Sequence, residues 1–315
     1  MLRTLIVSGL AAGALLAAAP APAETLRMMT GPQGGLWVPL GGALKNVWEK
    51  SVPGLSVQTL PGAGIANVRA VDEGKAEIAF GNSISTVDGI NGADPFPRKA
   101  TNVCQLATLY PQYFQVVVNA DSGINSIKDF RGKGLAVQTR GNTAEMITRQ
   151  ILQVHGLKYE DTKASFLPSY TDAVSLLKDG QAQVFTLGTT IPASSIMDLA
   201  SSRPIRLLDL SDSLEGMRKL NPGYYAVQVP ANTYPGQTQP VTNIGYATHL
   251  FVSCRLPDAQ VFALMQAIRA NFADLVIVAK VMEGVGPKEM AVDIGVPFHP
   301  GAAKFYGDQG VKVGS

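Results

Sequence analysis

The stretch Thr30-Gly31-Pro32-Gln33-Gly34-Gly35-Leu36-Trp37 constrains this chain most. An apolar segment, Leu26 to Met29, runs into it, and an amphipathic one, Leu36 to Trp48, runs out. That order predicts a strand, a glycine-rich turn and a helix. Gly31, Gly34 and Gly35 let the backbone turn sharply and let a ligand approach bare N–H groups. The helix behind them would aim its positive end into the turn. Such a turn at the carboxyl end of a strand is where α/β sheets bind small ligands. A tight connection with no ligand is the alternative.

The same unit recurs. Leu55 to Leu60 reads as a strand, Pro61-Gly62-Ala63-Gly64 as a turn and Ile65 to Gly74 as a helix. A strand Ala76 to Phe80 leads through Gly81-Asn82-Ser83 into a helix ending near Ile90. Val103 to Leu109 and Phe114 to Val118 read as two strands split by Tyr110-Pro111-Gln112. A second series follows, with strands at 135–138, 166–167, 183–187 and 205–210 and helices at 144–155, 170–178 and 193–201. Alternating strand and helix predicts mostly parallel sheet covered on both faces. Two doubly wound lobes account for the double series better than one sheet of ten or more strands. A strand Ile244 to Cys254 and a helix from Pro257 return the chain to the first lobe. The crossings are expected near 116–121 and 226–232.

Residues 1–23 read as a secretory signal: Arg3, an apolar run from Leu5 to Ala19, and a small-x-small site, Ala21-Pro22-Ala23. The run is short for a bilayer span, which needs about 20 apolar residues. Cleavage after Ala23 would leave 292 of 315 residues, enough for two ordinary lobes, with a formal charge of +2 − 1 = +1. No basic face suggests nucleic acid. The three histidines are isolated in sequence and lack metal-ligand spacing. No Gly-x-Ser-x-Gly elbow or phosphate loop occurs, so neither enzyme chemistry nor a cofactor is expected.

Six strand-end loops would line one cleft: 31–37, 61–67 and 81–85 from the first lobe, and 139–145, 167–171 and 188–192 from the second. Their backbone N–H groups and neutral polar side chains suit a small polar, anionic solute. Gly34, Gly35, Gly62 and Gly64 supply bare backbone. Trp37 either walls the cleft or packs under its helix. Asn67, Asn82 and Ser83 either hydrogen-bond the solute or cap helices. Gln138, Arg140, Asn142 and Thr143 form the second lobe's polar edge, joined by Thr189 and Thr190. Arg140 is the one obvious cation, a bidentate partner for a carboxylate or else a solvated loop residue. Tyr110 reaches the cleft or braces the hinge, and Glu145 is read as a helix-start residue.

Ordered motifs run from Met29 to Gly310. Among them are Thr30-Gly31-x-x-Gly34-Gly35-x-Trp37, Gly64-x-x-Asn67, Gly74-x-Ala76-x-Ile78-Ala79-Phe80 and Leu109-Tyr110-Pro111. Gly141-x-Thr143-x-Glu145, Asp179-Gly180-Gln181 and His299-Pro300-Gly301-Ala302 follow. In this order they resemble the solute-binding proteins of tripartite ATP-independent periplasmic (TRAP) transporters, in the TAXI, or immunogenic-protein-like, branch. The resemblance implies a monomeric, hinged, two-lobed periplasmic receptor of the type II binding-protein kind. Its lobes would be 24–117 with 230–315, and 118–229. It implies an amino-acid or dicarboxylate ligand, such as glutamate or 2-oxoglutarate, delivered to TRAP membrane permease subunits. A receptor serving a sensor kinase or chemoreceptor is the alternative, and an enzyme on the same fold a remoter one. Pro61-Gly62-Ala63-Gly64 and Phe185-Thr186-Leu187-Gly188-Thr189-Thr190 depart from the family's pattern on presumed cleft walls. In the hinged fold so implied, the returning strand lies antiparallel beside the strand before the first crossing. Cys104 and Cys254 then fall at one sheet edge, as a disulfide or as two buried thiols.

Overall fold

The computed structural model describes residues 24–314, so the signal and its cleavage at Ala23 lie outside the described residues. The chain begins with β1 (Glu24–Met29), α1 (Trp37–Ser51), β2 (Leu55–Leu60), α2 (Gly64–Asp72), β3 (Ile78–Asn82), α3 (Ser83–Asn91) and the 16-residue β4 (Cys104–Asn119). The second series is β5 (Gly134–Gln138), α4 (Thr143–Val154), β6 (Lys163–Leu167), α5 (Tyr170–Lys178), β7 (Val184–Thr189), α6 (Ser194–Ser202), β8 (Ile205–Leu207), α7 (Leu214–Leu220) and β9 (Tyr225–Val229). The return is β10 (Val241–Val252), α8 (Asp258–Ala270), α9 (Phe272–Val278), α10 (Pro287–Met290) and α11 (Pro300–Asp308).

The expected separation into two sheets does not occur. One hydrogen-bonded sheet runs β2-β1-β3-β10-β4-β7-β5-β6, with β8 on β4 and β9 on β10. Two long strands make it continuous. β4 pairs antiparallel with β10 from Cys104 to Phe114 and with β7 from Tyr113 to Val118. β10 pairs with β9 at Val241–Gly245 and with β3 at Thr248–Val252. Both strands change partners near 110–114 and 244–248, so the passages lie there rather than at 116–121 and 226–232.

Tyr110-Pro111-Gln112, read as a break, is strand. Pro111 sits opposite Ala247, and the register slips nearby between Thr248 and His249. An irregular ladder tolerates a residue that has no N–H to give.

Helices cover both faces, as side-chain alternation demands. In β4, Phe114, Val116 and Val118 enter one core with Ile65, Val68, Ile147 and Tyr246, while Val117 enters another with Phe185 and Ile196. Phe80, Leu250 and Val252 join a third core with Leu40, Leu44 and Trp48 of α1. Trp48 also gives its Nε1–H to the Leu264 carbonyl of α8 at 3.1 Å. The first of these cores crosses from one half of the sheet to the other.

Cys104 and Cys254 are joined in a disulfide, with Cα atoms 5.1 Å apart and a sequence separation of 150. A loop that long stabilises the fold by up to about 5 kcal/mol in the chain-entropy account. His299 is fully buried, and its Nδ1 accepts from Gly301 N at 3.1 Å to cap α11.

Candidate functional site

The strand-end loops of the two halves meet. Tyr170 N donates to Gln33 O at 3.1 Å, Ala66 N to Gly141 O at 3.0 Å, and Ser194 Oγ to Gly34 O at 3.4 Å. The Ser85 and Thr143 hydroxyls lie 3.0 Å apart. Two glycines permit this approach. A Cβ on Gly64 would stand 2.0 Å from Thr143 Oγ1, and one on Gly188 would stand 2.0 Å from the Tyr246 hydroxyl.

These contacts border a small, partly open cavity of about 20 Å³. Trp37, Asn82, Gln112, Asn142, Tyr170 and Tyr246 wall it, with Gly35, Gly64, Ala144, Gly188 and Thr189 closing the gaps. Among the described residues no Asp, Glu, Lys, Arg or His lines it. Room of that size holds about one water. A solute of several heavy atoms does not fit with the halves as they stand.

The walls are short of hydrogen-bond partners. Asn82 Oδ1 and Gln112 Oε1 have none among the described residues, although the two residues are only 5 and 3 % exposed. Trp37 Nε1, Tyr110 OH and Thr248 Oγ1 gather beside the cavity, and none makes a hydrogen bond of regular geometry. Buried polar atoms are normally satisfied. Burial pushes the phenols of Tyr110, Tyr170 and Tyr246 upward, so all three stay protonated. Three helices also start here. α1 and α2 have no side-chain cap; Val38 N donates to Gly35 O, Ala66 N to Gly141 O, and Pro39 has no N–H, which leaves the backbone N–H groups of Trp37 and Gly64 at the helix starts. α4 is capped by Asn142, whose Oδ1 accepts from Ala144 N at 2.8 Å. Their positive ends favour negative charge without any cation.

The expected site residues divide into three groups. Gly35, Trp37, Gly64, Asn82, Asn142 and Thr189 line the cavity. Gly34 and Thr190 line an outer groove at its mouth with Gln33, Val38 and Ser194, and Thr143 forms part of the closure. The remainder have other tasks. Asn67 gives its Nδ2 to the Thr30 and Phe80 carbonyls at 2.8 and 2.9 Å, and its Oδ1 accepts from Ala63 N at 2.9 Å. Its amide, with both Nδ2 hydrogens donated, ties three loops together, and Gly62 leaves room for it. Ser83 Oγ accepts from Ala247 N at 3.0 Å. Tyr110 lies behind Trp37, and Gln138 is buried at the end of β5 away from the lining.

Arg140 needs correction. It points out of the cavity, its side chain 66 % exposed and 3.4 Å from Glu145 Oε1. Its guanidinium lies over the Phe166 and Tyr159 rings at 5.0 and 5.7 Å. Two aromatic faces and a carboxylate hold it on the flank. Sequence reading missed Gln112, Tyr170 and Tyr246. The first sat in an apparent strand break, the second opened a helix, and the third lay inside an apolar strand.

A model described as the NMT1-like family matches residues 28–310. This chain belongs to that family. The NMT1-like chain also has the fold of periplasmic solute-binding proteins. It is similar to PhnD1 from Prochlorococcus marinus (MIT 9301), solved with methylphosphonate, at 11 % identity and TM-score 0.54, covering 82 % of this chain and 90 % of that one. A structure described as a periplasmic transporter matches at 12 % identity and TM-score 0.51, over 92 and 93 % of the two chains. A protein from Bordetella bronchiseptica RB50 matches at 20 % identity and TM-score 0.50, over 90 and 79 %.

Burial shifts the titratable groups near the NMT1-like cleft toward their neutral forms. Burial pushes His249 down to about 3, and its Nε2 lies 2.8 Å from Thr86 Oγ1, so the ring is neutral at ordinary pH. Burial raises the Glu145 carboxyl, against the pull of Tyr159 and Arg140. Among the described residues no three His, Cys, Asp or Glu side chains gather as a metal site would require.

Proposed function

We propose that this protein is an exported receptor whose two halves close about β4 and β10 on a small carboxylate-bearing solute. One observation carries this reading: a neutral cavity at the junction, rimmed by uncapped helix starts and by buried polar atoms without partners. Trp37 Nε1–H and the N–H groups of α1 and α2 would receive the carboxylate. Asn82 Oδ1 and Gln112 Oε1 would take a donor elsewhere on the same molecule, as an amino acid offers. Neutral donors suit a buried anion because no buried cation has to be desolvated with it. The ordered motifs from Met29 to Gly310 support delivery to a TRAP-type permease from the periplasm, with the chain acting as a monomer and not as an enzyme.

A thermal-shift panel of amino acids, dicarboxylates, sulfonates, phosphonates and neutral sugars tests this reading. A bound solute at about 100 times its dissociation constant adds about 2.7 kcal/mol of stability. A panel in which only a neutral sugar raised the melting temperature would overturn the carboxylate assignment.

A further inference from the structure

A second hollow, of about 520 Å³, lies on the other side of the strands and helix starts that wall the cavity. Neighbouring residues face opposite ways. Asn82 and Tyr246 line the cavity, while Ser83 and Ala247 line this hollow. Its walls come from both halves: α3 on one side and the 220–225 connection between α7 and β9 on the other. Val292 completes the rim.

The walls are mainly apolar, with Ile84, Val87, Leu220, Pro222, Tyr225 and Val292 prominent. Among the described residues seven large apolar side chains are exposed, and three of them, Leu220 (42 %), Tyr225 (36 %) and Val292 (50 %), converge here. Exposed apolar residues are ordinary singly and informative when they cluster. The size falls in the usual range for small-molecule sites, roughly 300–1,000 Å³.

One charged side chain lines the hollow. Asp88 accepts from Asn221 Nδ2 at 3.0 Å through Oδ1, a bond that bridges the two halves. No Lys, Arg or His shares the lining, and Asp88 makes no ion pair among the described residues. Burial, with Asp94 nearby, pushes its carboxyl up to about 6, against the pull of Asn221. The carboxylate is therefore ionised at neutral pH while lacking a cation.

We propose that this hollow is a second binding site, for a small apolar ammonium ion whose head meets Asp88 and whose body lies on Leu220, Tyr225 and Val292. An anion would be repelled by Asp88. A wholly apolar guest would desolvate that carboxylate with nothing in return. The ammonium supplies the missing partner, and the Tyr225 ring can face its charge. Because each half contributes a wall, an occupant also bears on how the halves sit together.

Calorimetry on the full chain at about pH 8, where amines stay cationic, tests this with phenethylammonium, 2-phenylethanol and 3-phenylpropionate. The ammonium should bind about tenfold tighter than the alcohol, as one charge-assisted contact allows. The propionate should bind weakest. Asp88→Asn should bring the ammonium down to the alcohol's affinity. Val292→Lys, on a half-exposed side chain that tolerates substitution, should weaken the ammonium about tenfold by like charge. Equal binding of ammonium and alcohol, an ammonium affinity indifferent to both variants, or no binding of any probe in the millimolar range would each overturn the site.

Discussion

Two sides of one contact differ in kind. Where α2 meets α4, Gly64, Asn142 and Ala144 face the cavity. Ile65, Gly141 and Glu145, their neighbours in sequence, face an outer hollow of about 400 Å³ together with Arg69, Asp94, Arg140 and Arg149. The inner side carries no ionised side chain, and the outer side carries three arginines and two acids. Outside, ions pair across the halves, as Arg149 does with Asp94 at 2.9 Å. Partly solvated pairs of that sort cost little and contribute little. Inside, a buried arginine would pay desolvation before a solute arrived. Helix ends and an indole N–H give an anion a favourable field without that cost. Charge near a loop in sequence is therefore not charge in the site.

The largest expected effect comes from closing the gap that keeps the two sides apart. Gly64→Val puts a side chain where Thr143 Oγ1 stands 2.0 Å and Asn82 Nδ2 2.7 Å from a Cβ. The halves could not meet, and solute affinity should fall by more than about 100-fold, the scale of losing enclosure and its hydrogen bonds together. Circular dichroism should still show the helices and sheet, although Ile65 beside Gly64 belongs to the core that the two halves share. Near-normal affinity by calorimetry would mean that closure through Gly64 is not needed.

A smaller loss is expected at the inner wall. Trp37→Phe keeps an aromatic ring to stack on Phe80, now 5.4 Å between ring centroids, and removes the indole N–H together with one fused ring. Affinity for a carboxylate should fall about tenfold, the value of one hydrogen bond to a charged group. An unchanged titration would remove Trp37 from the donor set. The smallest effect is expected on the outer side. Arg140→Ala removes an exposed cation held by Glu145, Phe166 and Tyr159, so affinity should change less than about twofold. A tenfold loss would return Arg140 to the site and erase the distinction between the two sides.

Much of the layout was legible because strand, glycine turn and helix have different periods. The strand 55–60 and the helix 170–178 lie where the pattern puts them. The convergence of both lobes' loops followed from the alternation, since α/β sheets gather their loops at strand ends. Three things were not legible. Continuity of the sheet through β4 was hidden by Pro111, whose missing N–H reads as a stop until the slipped register opposite is seen. The direction of Arg140 was hidden because it lies in the turn before α4, where no periodicity says whether a side chain meets the cavity or the flank. Gln112 and Tyr246 were hidden because a strand alternates faces, and spacing alone does not say which face meets the cavity. Asn67 illustrates the same limit: only its three backbone partners reveal that its amide ties loops together.

The central claim is that the halves part and close about β4 and β10. Small-angle scattering of the full chain, with and without a solute that raises its melting temperature, tests it most directly. The account predicts a larger radius of gyration without solute, falling at saturation to that calculated for the closed form, in which Ala66 bonds Gly141 and Tyr170 bonds Gln33. Superimposable profiles in the two conditions would contradict it.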